Sequence, residues 1–121
     1  MATLLVNTGR AIITNRIKGS GTEPLYVGYG TGAGTTGATD TTLFTEVGTR
    51  ITGTSTQQTT TTTNDTYQVV GTVTAGSSIT VTNAGLLDAS TSGNLFIKSD
   101  FTGIGLSSGD SIQFTIKASF A

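Results

Sequence analysis

Threonine supplies a little under a quarter of this 121-residue chain, and 17 glycines accompany it. A β-branched side chain loses rotamer freedom in a helix and packs well on a pleated surface, so this composition favours strands. Turn signals cut the chain at intervals of roughly ten residues from Asn64 onward, the rhythm of a sandwich or barrel. They are Asn64-Asp65, Gly76-Ser77-Ser78 and Ser90-Thr91-Ser92-Gly93-Asn94. Between them lie Thr66 to Ala75, with Tyr67, Val69, Val70 and Val73, then Ile79 to Leu87, then a stretch with Leu95, Ile97 and Phe101. The clearest strand is the last. From Asp110 to Phe120, Ile112, Phe114, Ile116, Ala118 and Phe120 alternate with Gln113, Thr115, Lys117 and Ser119. A period of two places one set on a buried face. Ile112, Phe114, Ile116 and Phe120 are therefore predicted to be core residues.

The first half reads differently. Asn7 or Thr8 suits a helix N-cap, and the segment from about 8 to 18 has Ile13 and Ile17 four apart on one face. Gly19-Ser20-Gly21 ends it. Pro24 to Tyr29 reads as a strand, Gly30 to Gly37 as a flexible loop, and Asp40 as the cap of a short turn. Val47 to about Thr56 has strand character, and the run Thr59 to Thr63 is expected to be a solvent-facing strand or hairpin arm. The expected architecture is one domain spanning 1–121: all-β, a β-sandwich or jelly-roll-like fold, with a short N-terminal helix.

Composition bounds the chemistry. The chain has no His, Cys or Trp, and only 11% of it is charged, with a net charge of −1. Acid–base catalysis needs a group that titrates near neutral pH, and only scattered Asp, Glu, Lys and Tyr are available. Ser and Thr have no His to activate them, and Lys98 or Lys117 would serve only if buried with a depressed pKa. No enzyme activity and no cofactor are expected. Near-neutral charge also argues against nucleic acid and against a polybasic membrane contact. Met-Ala-Thr-Leu-Leu-Val lacks the charged region of a signal peptide, and no later apolar run is long enough to span a bilayer. Without Cys the fold is indifferent to redox compartment. Leu, Ile, Val and Phe make up enough of the chain for it to fold, but with a thin core, which favours burial by oligomerisation.

Few motifs stand out. Gly32-Ala33-Gly34-Thr35-Thr36-Gly37 matches G-x-G-x-x-G, but the long helix a dinucleotide site needs does not follow. None of the seven acids stand at a metal-ligand spacing, and Asp65, Asp88 and Asp110 fall at turns, where Asp bonds its own backbone. Asn64-Asp65-Thr66 forms a glycosylation sequon, with no secretory signal to give it meaning. Arg10, Arg16 and Lys18, half of all the cations, crowd the helical segment. They make either a solvated face or a small basic patch that docks on an acidic partner surface.

Several stretches together resemble the small virion proteins of tailed bacteriophages. They are Asn7-Thr8-Gly9-Arg10-Ala11-Ile12-Ile13-Thr14-Asn15-Arg16-Ile17, Tyr26-Val27-Gly28-Tyr29-Gly30-Thr31-Gly32, and Asn83-Ala84-Gly85-Leu86-Leu87-Asp88-Ala89 through Gly93-Asn94-Leu95-Phe96. The ending Leu106-Ser107-Ser108-Gly109-Asp110-Ser111-Ile112-Gln113-Phe114 completes the likeness to capsid decoration (cement) proteins and to some tail-fibre or baseplate subunits. The resemblance implies a β-sandwich that clamps the outer capsid lattice by binding the major capsid protein, often as a homotrimer. It also implies synthesis in a bacterial host cytoplasm and a final place on the capsid surface of the virion. No catalytic residues come with it. A receptor- or glycan-binding module is the rival reading, and it needs an aromatic platform, for which Tyr29 beside the glycine loop is the best placed of three tyrosines.

Overall fold

A computed structural model describes residues 2–120, so the two ends of the expected 1–121 domain lie outside the described residues. Eight strands and one helix follow in the order β1 (Ala2–Leu5), α1 (Asn7–Lys18), β2 (Tyr26–Gly30), β3 (Glu46–Thr52), β4 (Thr54–Gln58), β5 (Thr66–Thr74), β6 (Ile79–Leu87), β7 (Leu95–Leu106) and β8 (Ser111–Ser119). They form a five-stranded sheet in the order β1-β7-β6-β2-β3 and a three-stranded sheet in the order β4-β5-β8, every pairing antiparallel. The fold is all-β with a short N-terminal helix, as the composition predicts.

The two sheets face each other in a sandwich-like pair. One apolar cluster bridges them, with Val27, Leu86, Phe96 and Ile97 from the larger sheet and Val69 and Ala118 from the smaller. A second joins Tyr29, Val81 and Ala84 to Val73 across the same gap. Each fully buried aliphatic side chain contributes roughly 1.5–3 kcal/mol relative to exposure. The chain passes between sheets at Gly53, whose N–H donates to Leu25 O at 2.8 Å.

The segment 31–45 is not a loose loop. It lies on the outer face of the five-stranded sheet, where Leu43 closes a cluster with Val6, Leu87 and Leu95. The sheet is shaved flat to receive it. A Cβ on Gly30 would strike the Phe44 carbonyl, and one on Gly85 would meet both the Ile97 carbonyl and the Leu43 side chain. Two buried polar residues then fix it. Asn83 accepts from Phe44 N at 2.9 Å and donates to Phe44 O at 3.0 Å, so its amide pairs with the loop as a strand would. Lys98 Nζ donates to Thr42 O at 2.8 Å and Asp40 Oδ2 at 3.0 Å, and sits over the Phe44 ring.

Two local expectations need correction, and one strand, β1, is additional to those expected. Thr59 to Thr63 is a turn, not a strand, because the Asp65 carboxylate accepts the N–H groups of Thr60, Thr61 and Thr62 and curls the backbone around itself. The N-cap of α1 is Val6, without a side-chain cap; Asn7 instead accepts from Arg10, and Thr8 donates to Leu95 O. Strand β1 was hidden in a four-residue run and exists by pairing with Ile97 to Asp100 of β7.

Candidate interaction surface

The side of the sandwich between β7 and β8 is half closed and half open. At one end α1 fills it: Ile12 is buried and Ile13 half-buried in the cluster with Phe96 and Ala118. The other end is an apolar groove of about 550 Å³. Phe101 and Ile104 of β7 form one wall, and Ile112, Phe114 and Ile116 of β8 form the other. The Phe101 and Phe114 rings lie 6.2 Å apart, tilted by 40°.

This geometry decides the predicted core residues. Ile112, Phe114 and Ile116 do face inward, but all three are half-buried, because β8 is an edge strand and its inner face opens onto the groove. Ala118 is the buried member of the alternation. Phe120 is not core: it lies past the end of β8 and is 57% exposed. The alternation continues to it, but at that end α1 stands where the larger sheet would have to be. Phe120 instead borders a depression of about 420 Å³ with Ile13, Arg16, Ile17, Pro24 and Tyr67.

Helix α1 therefore presents a mixed surface. Gly9 and Ile12 face inward and Ile17, expected to pack, is 81% exposed. Arg10, Arg16 and Lys18 are all exposed. At 100° per residue they do not share one face. Arg16 sits at the rim of the depression, where its guanidinium donates to Gly21 O at 3.0 Å. Arg10 donates to Asn7 Oδ1 at 2.6 Å. A single basic patch of three is thus replaced by one cation, Arg16, beside two exposed apolar side chains, Ile17 and Phe120. Lys18 stands at the helix C-terminus, favourably placed against the helix dipole.

The acids hold loops. Asp65 caps the 60–62 turn, Asp88 accepts from Asn94 N at 2.6 Å, Asp110 from Ser107 N at 2.9 Å, and Asp100 from Thr36 N at 3.0 Å. Glu46 makes a bidentate pair with Arg50, whose third nitrogen reaches Ala89 O and Ser92 O. Glu23 accepts the Tyr67 hydroxyl at 2.9 Å, and burial followed by this carboxylate raises the Tyr67 pKa. No group of three metal-ligating residues converges among the described residues. Tyr29 is buried, so the best-placed aromatic for a sugar platform is part of the core. The glycine-rich match at 32–37 runs into β3 rather than a helix, with Gly32 N–H bonded to Phe44 O.

Two of the stretches quoted from the sequence, 26–32 and 83–96, lie side by side in the fold. Tyr26 to Gly30 pairs with Asn83 to Leu87, and Leu87 in turn with Leu95. Gly93, at φ +73°, and the Asp88 cap shape the turn that leads into β7. Comparisons with family models, with curated proteins and with solved structures find no match to this chain.

Proposed function

We propose that this protein is a structural subunit of a bacteriophage virion that decorates the outer capsid surface by binding the major capsid protein. The observation that carries this reading is the end of the sandwich formed by α1 and the close of β8. There Ile17 and Phe120 are exposed side by side around a shallow depression with Arg16 at its rim. Large apolar side chains exposed together and edged by a cation form a surface that another protein covers. The sequence resemblance supplies the partner.

In this reading the action is mechanical. A subunit that binds only the assembled lattice stabilises it by mass action, so contacts spanning neighbouring capsid subunits resist internal pressure. Assembly as a homotrimer multiplies weak contacts into a firm one.

The test is binding to expanded capsids that lack decoration. The parent chain should co-sediment with them and appear in a particle reconstruction on the head at high copy number. Ile17→Ser/Phe120→Ser should stay folded and lose occupancy. Failure of the parent to bind heads, or its appearance only on the tail, overturns the reading.

A further inference from the structure

The sheet edges of this molecule are not equally protected. Exposed edges template pairing with other chains, and proteins blunt them with shortness, charge, proline or bulges. Strands β1 and β4 are short. Strand β3 carries Glu46 and Arg50 and has a register shift against β2. Strand β8 has none of these devices. It is nine residues long, pairs with β5 in unbroken register, and has Lys117 as its one charge. Among the described residues, no strand pairs with its other edge.

The hydrogen bonds fix which groups that edge offers. Phe120 N donates to Asp65 O and Ala75 N donates to Asp110 O, both in line with the β5–β8 register. Antiparallel partners exchange bonds at every second residue. Even-numbered residues of β8 therefore bond β5, and Ser111, Gln113, Thr115, Lys117 and Ser119 turn their N–H and C=O groups outward. The side chains of Ile112, Phe114 and Ile116 meanwhile line the unfilled groove.

We propose that a second copy of this chain occupies this edge, its own β8 pairing antiparallel across a two-fold axis with Gln113 opposite Thr115 of the partner subunit. This register is self-complementary. It bonds outward-facing groups to outward-facing groups. On the groove side Phe114 meets Phe114 of the partner subunit, and Ile112 meets Ile116 of the partner subunit. On the outer side Lys117 meets Ser111 of the partner subunit, so no like charges face each other. The two small sheets merge into one, and the two grooves adjoin, so each covers apolar surface the other leaves open. An isologous contact of this kind closes on itself. It does not depend on the capsid reading and uses a different surface from α1.

The experiment measures the mass of the purified full chain by light scattering and sedimentation over a concentration series. An even-numbered assembly is expected: a dimer, or a hexamer if the three-fold contact forms as well. Thr115→Pro removes one outward N–H, which an edge strand tolerates. Gln113→Lys/Thr115→Lys places lysines opposite lysines at a solvent-facing position. Either variant should keep the circular dichroism spectrum of the parent and lose the two-fold contact, halving the mass. In a chain without Cys, Gln113→Cys/Thr115→Cys should cross-link into a covalent dimer on mild oxidation. A parent that is monomeric or strictly trimeric at the highest reachable concentration overturns the proposal. So does an even-numbered assembly that both folded edge variants leave intact, or one in which the cysteine pair does not cross-link.

Discussion

Lys98 Nζ lies 3.0 Å from Asp40 Oδ2, with the lysine side chain wholly buried and the aspartate side chain 25% exposed. The pair joins β7 to the middle of the 31–45 segment, a separation of 58 residues. Its asymmetry matters. The ammonium has no water to fall back on and relies on Asp40, Thr42 O and the Phe44 ring. The carboxylate keeps one side in solvent and also accepts from Gly37 N.

Removing either partner should therefore not cost the same. Asp40→Ala strands a buried cation, and losses of about 3–5 kcal/mol are usual when such a pair is broken. Lys98→Met keeps the apolar stem in place and leaves a carboxylate that water can reach. Its cost is expected to stay below about 2 kcal/mol, because the charge left unpaired is solvated rather than buried. Urea unfolding of the two variants checks this. A Lys98→Met variant less stable than Asp40→Ala would mean that the lysine is held mainly by Thr42 and Phe44.

Acid should weaken the protein through two carboxylates. Hydrogen bonds from the backbone of Thr62, Thr60 and Thr61 hold Asp65 far below its ordinary value of 3.8, and the Gly37 N–H followed by Lys98 lowers Asp40. A folded-state pKa below the unfolded one adds stability above the unfolded value, and that stability is lost as pH falls through the folded value. The thermal midpoint should thus hold steady from neutral pH to about pH 4 and decline below it. Asp65→Asn should make that decline shallower and speed hydrogen exchange at Thr60, Thr61 and Thr62. A variant whose acid limb overlays the parent's would show that the turn does not depend on the charge.

How much of this was legible in the sequence follows the range of the forces involved. Ile79–Leu87 can be read to the residue from the turn signals on either side of it, and β8 nearly so from its alternation, because local periodicity reports a half-buried strand directly. The left-handed glycine that ends α1, Gly19 at φ +95°, is equally local. Lys98 and Asn83 could not be read this way. Each looks like an ordinary polar strand residue, and each is buried only because the 31–45 segment folds over the outer face of the sheet. A trace of that event is present, since Gly30 ends β2 and Gly85 interrupts β6 where another chain segment approaches. The exposure of Phe120 was hidden for the same reason: period two continues through it, and only the position of α1 decides what stands opposite.

The apolar positions of the sandwich should separate into three levels of cost. Leu86 is buried in the cluster that bridges the sheets, so Leu86→Ala is expected to lose about 2–5 kcal/mol. Phe114 is half-buried against the open groove, and Phe114→Ala should lose about 2 kcal/mol, below the usual range for a core phenylalanine. Phe120→Ala should fall within about 0.5 kcal/mol of the parent, as surface changes do. Chemical denaturation of the isolated chain at low concentration gives the order. A Phe120 cost equal to that of Phe114 would place Phe120 in the folding core after all.

The charges of α1 offer the sharpest check on the capsid reading. Arg10, Arg16 and Lys18 are all exposed, but only Arg16 borders the depression with Ile17 and Phe120. If that end docks on a partner, the three cations should contribute unequally. Steering by charge depends on ionic strength, while apolar contact does not. Arg16→Ser should therefore slow attachment to undecorated capsids and flatten its salt dependence nearly as much as the triple Arg10→Ser/Arg16→Ser/Lys18→Ser variant. Arg10→Ser and Lys18→Ser alone should change little. None should move the melting temperature by more than a few degrees, since each side chain leaves the core untouched. Occupancy measured across a salt series separates the cases. Equal effects from all three cations would point to a diffuse field around the helix, and no effect from any would reduce the charged residues of α1 to a solvated surface.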